Sequence, residues 1–338
     1  MKHFVLLALL FCTSINTDAA YTDAETKIDK SAKPHMARWL STDLLQYNPG
    51  RLERTYDETN SCIATTTDTL IKQPSIIVLN HAKNDDRQSI QSLYNANVSA
   101  HYLISRSGAI YYLLPSDGST KPYTDTDCDE CRAFHAGHAR WKVRPGATTG
   151  QDVNSLSLGV ILANDGPQAT PRTEYTTEQM NALKALLTYK MQQYAIKPSN
   201  IIAHGECAID PTTLLVNRKQ GPGHHFPWEQ LNEEGICYGH GLDESALDAA
   251  NDMGEVMLHA CLETIGYFLP REPKSAEESE SMKLATTCVI EQFNRRYDRK
   301  NFEDLCASGM QGAITNRVKN MAQAVAAKVK QESYITTD

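Results

Sequence analysis

The sequence predicts an α/β protein in which a mixed β-sheet is flanked by helices and followed by a small three-helix domain. Two patterns predict this class. Between about residues 75 and 205, short apolar runs rich in β-branched residues alternate with helical repeats, an order typical of mixed sheets with helices packed on them. After about residue 245 only helical repeats follow, which indicates a separate small bundle.

Length and charge agree with a folded chain of two domains. The chain has 338 residues, 41% of them hydrophobic and 22% charged, with a formal charge of −8. These values are ordinary for globular proteins, and the length exceeds that of most single domains. No run of Lys and Arg is present, and phosphate binding needs clustered cations, so we expect no nucleic-acid partner.

The N-terminus has the layout of an export signal. Residues 1–20 contain Lys2, an apolar run over 4–11 and a polar stretch ending at Ala20, which is typical of a secretory signal peptide. We therefore expect an exported protein, periplasmic or secreted. No later apolar segment has the roughly 20 residues of a transmembrane helix. Residues 21–73 carry no motif and are interpreted as an N-terminal extension.

Cysteine usage predicts disulfide bonds. An even number of cysteines after an export signal is typical of an oxidising compartment, although the spacing does not define the pairing. Cys128 and Cys131 form a lone C-x-x-C, for which a structural disulfide is favoured over half of a metal site or a redox pair. The disulfide candidates are Cys62, Cys128, Cys131, Cys207, Cys237, Cys261, Cys288 and Cys306.

The central region contains recognisable strands and helices. We expect strands at residues 76–79, 156–163 and 200–203, a hairpin joining 101–105 to 109–114, and a helix over 85–94. Thr176 and Gln179 form a capping box that opens a helix ending before Pro198. Three further helices are expected after residue 245: one through Leu247 to Ile265, one opened by Ser275 and Glu278, and one carrying Ile314 to Val325.

Two histidines stand at the ends of predicted strands. His81 follows the strand at 76–79, and His204 follows the strand at 200–203. Rigid strand ends are suitable positions for metal ligands, and imidazole is a common zinc ligand. Each histidine alone is weak support for a metal site, so the surrounding segments decide the interpretation.

The segments that decide it occur in one order along the chain: Val78 to His81, Val98 to Ile104, Ala133 to Gly137, Ser157 to Val160, Ile202 to His204 and Arg218 to Trp228. Together, over about residues 75–235, they resemble the type 2 N-acetylmuramoyl-L-alanine amidases. These zinc hydrolases cut the bond between muramic acid and the stem peptide of peptidoglycan. The resemblance implies an amidase domain over about residues 74–240, one Zn²⁺ ion, His81 and His204 as its ligands, and Lys219 as the stabiliser of the oxyanion.

The chain departs from that family at two positions. The third zinc ligand of the family directly precedes Pro-Gly, where this chain has Gly221, and the family's catalytic carboxylate position holds Ile161. His224 or His225 is the expected replacement ligand, since three histidines can hold zinc. Lining of the substrate groove is the alternative for both. Glu206, two residues after His204, is the first choice of general base, and Asp165 is the second.

The resemblance also implies a substrate cleft and a second binding domain. His135, His101 and Phe134 are the expected substrate-binding residues, with a buried structural role as the alternative for His135. Residues 245–330 resemble, more loosely, the three-helix peptidoglycan-binding domain that often follows such amidases.

The resulting prediction is a zinc amidase that hydrolyses the bond between N-acetylmuramic acid and L-alanine, acting on peptidoglycan or muropeptides. The alternative is a non-catalytic peptidoglycan-binding pseudoenzyme that keeps the cleft and has lost the chemistry. Gly221 and Ile161 are the residues that make the alternative necessary.

Overall fold

The computed structural model describes residues 74–82, 100–112, 135–136, 139–141, 151–166, 173–210, 213, 215–216, 218–269 and 276–335. Several predictions lie outside these residues and stay predictions: the signal peptide, the extension over 21–73, the helix over 85–94, Phe134, Cys62, Cys128 and Cys131.

A mixed sheet forms the centre of the described chain. Its strands are β1 (Ile76–His81), β2 (Tyr102–Ile104), β3 (Ile110–Tyr112), β6 (Ser157–Leu162) and β7 (Ile201–Ala203), in the order β3-β2-β6-β1-β7. β1 runs parallel to β6 and β7, β2 runs parallel to β6, and β3 pairs antiparallel with β2. A separate antiparallel pair consists of β4 (Arg140–Trp141) and β5 (Gln151–Asp152). The predicted mixed sheet and its hairpin are confirmed.

Helices follow the sheet strands and dominate the C-terminal part. They are α1 (Thr177–Tyr194), α2 (His204–Cys207), α3 (Trp228–Glu233), α4 (Glu244–Leu247), α5 (Glu255–Ile265), α6 (Ala276–Tyr297), α7 (Phe302–Ala307) and α8 (Asn316–Ile335). Of the three predicted C-terminal helices, the first is divided: Leu247 ends α4, and α5 begins only at Glu255. Within the described residues, no helix is both long enough and apolar enough to cross a membrane.

The apolar run of β1 is buried on both of its faces. Ile77 and Leu79 belong to a core that includes Leu183 and Leu187 of α1. Ile76, on the other face, belongs to a core that includes residues of the C-terminal helices. A strand covered on both sides reads as a continuous apolar run, because neither of its faces meets water.

The start of α1 follows from its capping residue. The hydroxyl of Thr176 accepts a hydrogen bond from the backbone N–H of Gln179 at 3.1 Å, as the sequence predicts. The Gln179 side chain does not complete the expected capping box. Its amide instead donates to the carbonyls of Ile104 and Ala163, so it ties α1 to β2 and to the end of β6.

The C-terminal helices pack directly on the sheet. Val78 of β1 and Ile202 of β7 share one apolar cluster with Leu262 of α5, Phe293 of α6 and Met321 of α8. These helices therefore form a layer against the second face of the sheet, and their core is continuous with it. Their resemblance to a peptidoglycan-binding domain stays a prediction.

Candidate functional site

The register of the sheet brings three residues to one place. Asn80 of β1 pairs with Ile161 of β6, and Leu79 pairs with Ala203, the last residue of β7. Asn80 and His204, the first residue of α2, each directly follow this last pair. Paired residues of neighbouring strands project from the same face of a sheet, so the β1 side chain beside Ile161 is that of Asn80. The charge of His81 also acts on His204, so His81 lies near the same place.

His204 is a buried, neutral imidazole with a fixed ring. Its Nε2 lies 3.1 Å from the carbonyl oxygen of Ala136. A carbonyl only accepts, so Nε2 carries the proton and Nδ1 carries the lone pair of the neutral ring. Nδ1 is buried and has no hydrogen-bond partner among the described residues. Burial, with smaller contributions from the charges of Arg218 and Lys219, lowers the pKa of His204 to about 3, although the hydrogen bond to Ala136 acts in the opposite direction.

His81 lies next to this position, at the end of β1. Its Nδ1 is also buried without a hydrogen-bond partner among the described residues. Burial lowers its pKa to about 4, with Lys219 acting in the same direction and Asp165 in the opposite one. Gly166 packs closely against the ring, because a Cβ added to that glycine would lie 2.0 Å from His81 Nε2. Like His204, His81 is neutral at ordinary pH.

Gly221 borders the space beside His81, and the Asn80 side chain fills the volume next to this glycine. A Cβ added at Gly221 would lie 2.1 Å from Asn80 Oδ1 and 3.0 Å from His81 Nδ1. A side chain at this position would thus start between the two residues at the end of β1. The volume such a side chain would need is occupied by the Asn80 carboxamide.

The place of the family's catalytic carboxylate is apolar. Ile161 is buried in β6 and has no group that accepts or donates a proton. Asp165 follows four residues later, is exposed, and accepts a hydrogen bond from Thr173 Oγ1 at 3.2 Å. Its charge acts on His81, so it is close enough to influence this end of the sheet.

Glu206 does not have the environment of a general base, which corrects the first choice of the sequence analysis. Its carboxylate is buried and accepts hydrogen bonds from Ala203 N–H at 2.7 Å, Arg296 Nη1 at 2.7 Å and Tyr267 Oη at 2.5 Å. A carboxylate engaged in this way holds α2 to helix α6 and has no contact with the place where a water would be activated. Burial, followed by the charge of Glu206, raises the pKa of Tyr267.

Lys219 is exposed and lies near both histidines of the strand ends. Its charge lowers the pKa of His81 and of His204. The neighbouring Arg218 has a structural position: its guanidinium donates to the carbonyls of Ile209 at 3.0 Å and Ala136 at 2.6 Å. Lys219 is thus an exposed residue close enough to act on both histidines, and its role at the oxyanion stays a prediction.

His224 and His225 are grouped with a residue of the C-terminal layer. Within the described chain, their ligand atoms and those of Glu303 on α7 all lie within 4.8 Å of one another. Neither histidine forms such a group with His81 and His204. The expected replacement ligand for the strand-end site is therefore not found at these positions, because the turn after Pro222 carries both rings towards α7.

His101 and His135 are buried and make hydrogen bonds to residues of β6, and their expected role in substrate binding stays a prediction. His101 Nδ1 accepts a hydrogen bond from Gly159 N–H at 2.9 Å, and His135 Nε2 lies 2.8 Å from Ser157 Oγ. The two rings meet edge to face, with centroids 5.5 Å apart. For His135 this is the structural alternative left open by the sequence.

The described cysteines are free thiols, so the disulfide prediction is wrong for them. These are Cys207, Cys237, Cys261, Cys288 and Cys306. Cys207 and Cys237 are buried and lie near the carbonyls of His204 and Trp228, at 3.5 and 3.7 Å. Buried free cysteine behaves as a small apolar residue, and here it fills the core instead of linking two segments.

The donor set at the strand ends does not fit the zinc ion that the family resemblance implies. Zinc in hydrolases is usually held by three side chains of the imidazole, thiolate or carboxylate type, with one position left open. The two buried Nδ1 atoms of His81 and His204 are suitable donors. No third residue of these types joins them within the described chain. At Gly221, where the family has its third ligand, the oxygen nearest to an added Cβ is Oδ1 of the neutral Asn80 carboxamide.

Asn80 is a residue of the candidate site that the sequence patterns did not indicate. It directly precedes His81, and imidazole is the more common metal ligand. Alternation along β1 does not distinguish the two residues, because apolar residues occupy both faces of this strand. Only the pairing of β1 with β6 shows that Asn80 lies opposite Ile161.

Residues 71–224 match the family model described as N-acetylmuramoyl-L-alanine amidase. Among curated proteins, AmiD of Escherichia coli K12 is 31% identical over 165 residues, which cover 48% of this chain and 53% of AmiD. AmpD of Citrobacter freundii, a 1,6-anhydro-N-acetylmuramyl-L-alanine amidase, is 29% identical over 134 residues, covering 40% of this chain and 55% of AmpD. The chain thus spans about half the length of these curated relatives.

Solved structures show the same fold. E. coli AmiD, in complex with anhydro-N-acetylmuramic acid-L-Ala-D-gamma-Glu-L-Lys, superposes with a TM-score of 0.55 at 23% identity, covering 75% of this chain and 89% of AmiD. AmpDh3 of Pseudomonas aeruginosa gives a TM-score of 0.55 at 23% identity over 78% of this chain and 95% of its own. Residues 71–224 of this chain thus match the model of the N-acetylmuramoyl-L-alanine amidase family, and the chain shares its fold with AmiD and AmpDh3.

Proposed function

We propose that the cleft at the strand ends binds N-acetylmuramoyl peptides of peptidoglycan and does not hydrolyse them. The ligand class is supported by the family of residues 71–224 and by AmiD, whose solved complex contains such a peptide. One observation carries the second half of the proposal: at the strand ends Asn80 pairs with Ile161 and lies against Gly221, and Ile161 and Gly221 offer neither the carboxylate nor the third ligand of the family.

The remaining side chains form a neutral hydrogen-bonding surface. His204 offers the lone pair of Nδ1, since its Nε2 proton is used by the Ala136 carbonyl. Asn80 offers both a carbonyl oxygen and an amide N–H₂. Amide groups, such as the one joining muramic acid to L-alanine, are both donors and acceptors of hydrogen bonds. A neutral polar surface of this kind binds an amide without activating it.

Lys219 supplies the charge complementarity of the proposed complex. The peptide bound to AmiD contains a γ-linked D-glutamate, which leaves its α-carboxyl group free and ionised. Lys219 is exposed beside His81 and His204, so an ionised carboxylate in the cleft would meet a cation there. We therefore propose Lys219 as the residue that pairs with a carboxylate of the stem peptide.

Hydrolysis of the same amide is the second candidate function, and one observation favours it. His81 and His204 both present a buried Nδ1 atom without a hydrogen-bond partner among the described residues. Lys219 and Asp165 both act on the pKa of His81. In that case Asp165 takes the place of the base that Glu206 cannot provide, and Lys219 faces the developing oxyanion.

Binding and cleavage are separated by one experiment on the purified full chain. Isothermal titration with N-acetylmuramoyl-L-Ala-D-γ-Glu-L-Lys measures affinity, and mass spectrometry of the same mixture measures released peptide, with E. coli AmiD as the positive control. We expect saturable binding, no release above the background, and no change on adding EDTA. Lys219→Ala should weaken binding by about tenfold, the effect of losing one charged hydrogen bond. Gln193→Ala, on the exposed part of α1, is the matched control.

Two results would overturn the proposal. Peptide release at a rate comparable with AmiD, abolished by EDTA, would establish the second candidate. The absence of any heat or competition signal for the muropeptide, under conditions in which AmiD binds it, would exclude both functions for this cleft.

A further inference from the structure

We infer that His224, His225 and Glu303 form a binding site for one divalent transition-metal ion of the zinc type, separate from the cleft. This inference goes beyond the proposed function and does not depend on it. Two of the residues follow Pro222 in the segment between α2 and α3, and the third is in the first turn of α7, so they come from distant parts of the sequence.

The donor atoms have the identity and spacing of a metal site. Two imidazoles and one carboxylate are a set that zinc accepts, with bonds of roughly 2.0–2.2 Å and a water in the fourth position. His224 Nε2 already lies 3.3 Å from Glu303 Oε1, close to the separation of two ligands on one tetrahedral ion. All three ligand atoms lie within 4.8 Å of one another.

The site is partly fixed and partly adjustable. The His224 ring packs against His225, with centroids 3.6 Å apart, and against Phe302, with centroids 5.1 Å apart. The His224 side chain is only 12% exposed, whereas that of Glu303 is 60% exposed. A change in the Glu303 rotamer can therefore adjust the distances from its carboxylate to the two imidazoles without moving the backbone.

The position of the site gives it a structural consequence. Tyr175 Oη donates to the carbonyl of Pro222 at 2.8 Å, which fixes the start of the loop on the sheet side. An ion held by His224, His225 and Glu303 would connect this loop to α7 in the C-terminal layer. Because the unfolded chain does not keep the three ligands together, binding of the ion should stabilise the folded state.

The experiment measures Zn²⁺ binding to the full chain after dialysis against a chelator. Isothermal titration gives stoichiometry and affinity, Co²⁺ absorption reports coordination, and thermal unfolding is recorded with and without Zn²⁺. We expect one ion per chain and a higher Tm in its presence. Glu303→Gln and His225→Gln should each weaken binding by at least tenfold and remove the Tm shift, without lowering the Tm of the metal-free protein.

Variants of the strand ends separate this site from the cleft. His204→Ala and His81→Ala should leave the Zn²⁺ affinity unchanged, and Glu303→Asp should retain part of the binding. The inference is overturned if the chain binds no Zn²⁺, if Glu303→Gln binds it as tightly as the natural sequence, or if His204→Ala abolishes binding.

Discussion

Replacing Gly221 by alanine tests whether Asn80 occupies the space of a missing side chain. The added Cβ would lie 2.1 Å from Asn80 Oδ1 and 3.0 Å from His81 Nδ1, well inside ordinary contact distances. Overpacking of this kind costs about 1–3 kcal/mol, and the loss of glycine's freedom in the unfolded chain offsets about 0.4–1 kcal/mol of it. Since the Asn80 carboxamide can turn away, we expect Gly221→Ala to lower the free energy of unfolding by about 1 kcal/mol.

A double-mutant cycle isolates the Asn80 contribution. In the Asn80→Ala background the oxygen at 2.1 Å is gone, so Gly221→Ala should be neutral or slightly stabilising. The coupling free energy between the two positions should then be about 1 kcal/mol, measurable by urea unfolding of the full chain.

Gly254→Ala is the matched control, because nothing lies within 4 Å of the added Cβ and the backbone has φ −74°. Its effect should stay within about 0.5 kcal/mol. The reasoning is refuted if Gly221→Ala has the same effect with and without Asn80, since the two side chains would then not compete for one volume.

Three further predictions concern the metal, the buried ion pair and the thiols. Asn80→His combined with Gly221→Asp should create a Zn²⁺ site with His204, visible as one additional equivalent of Zn²⁺ in isothermal titration. Gly221→Asp alone should not create this site. Equal Zn²⁺ binding by the two variants would mean that residue 80 does not take part in it. Arg296→Met should lower the free energy of unfolding in urea by about 3–5 kcal/mol, because it removes the charged partner of the buried Glu206 carboxylate. Arg299→Met breaks the more exposed pair with Glu229 and should lower it by about 1 kcal/mol or less. Among the described cysteines, brief alkylation of the native protein followed by peptide mapping should label the exposed Cys306 and leave the buried Cys207 and Cys237 unlabelled; labelling of all three would mean that the core opens readily.

The Glu206–Arg296 pair explains why the two layers of the chain behave as one unit around the site. Glu206 is two residues from His204, and Arg296 belongs to α6, where its guanidinium also stacks on Trp228 at 4.2 Å and Tyr297 at 4.9 Å. Burial alone would lower the pKa of Arg296, but Glu206 and the neighbouring groups raise it above its ordinary value. The position of α2, which begins at His204, is therefore set partly by α6, a helix that the sequence predicted to belong to another domain.

The sequence alone determined the sheet, its principal helix and the family that residues 71–224 resemble. Apolar runs predict β1 and β6 because these strands are buried on both sides, and Thr176 predicts the start of α1 because a hydroxyl cap acts within one turn of the chain. It also identified the absence of a ligand at Gly221 and of a carboxylate at Ile161, since each is a matter of residue type.

Tertiary structure alone decided which side chains meet. Asn80 rather than His81 pairs with Ile161 because strand register, not proximity in sequence, aligns residues of neighbouring strands. Glu206 accepts a hydrogen bond from Arg296, 90 positions away, and His224 lies within hydrogen-bond distance of Glu303, 79 positions away. Contacts over such separations depend on how the layers pack, and no local pattern of residues encodes them.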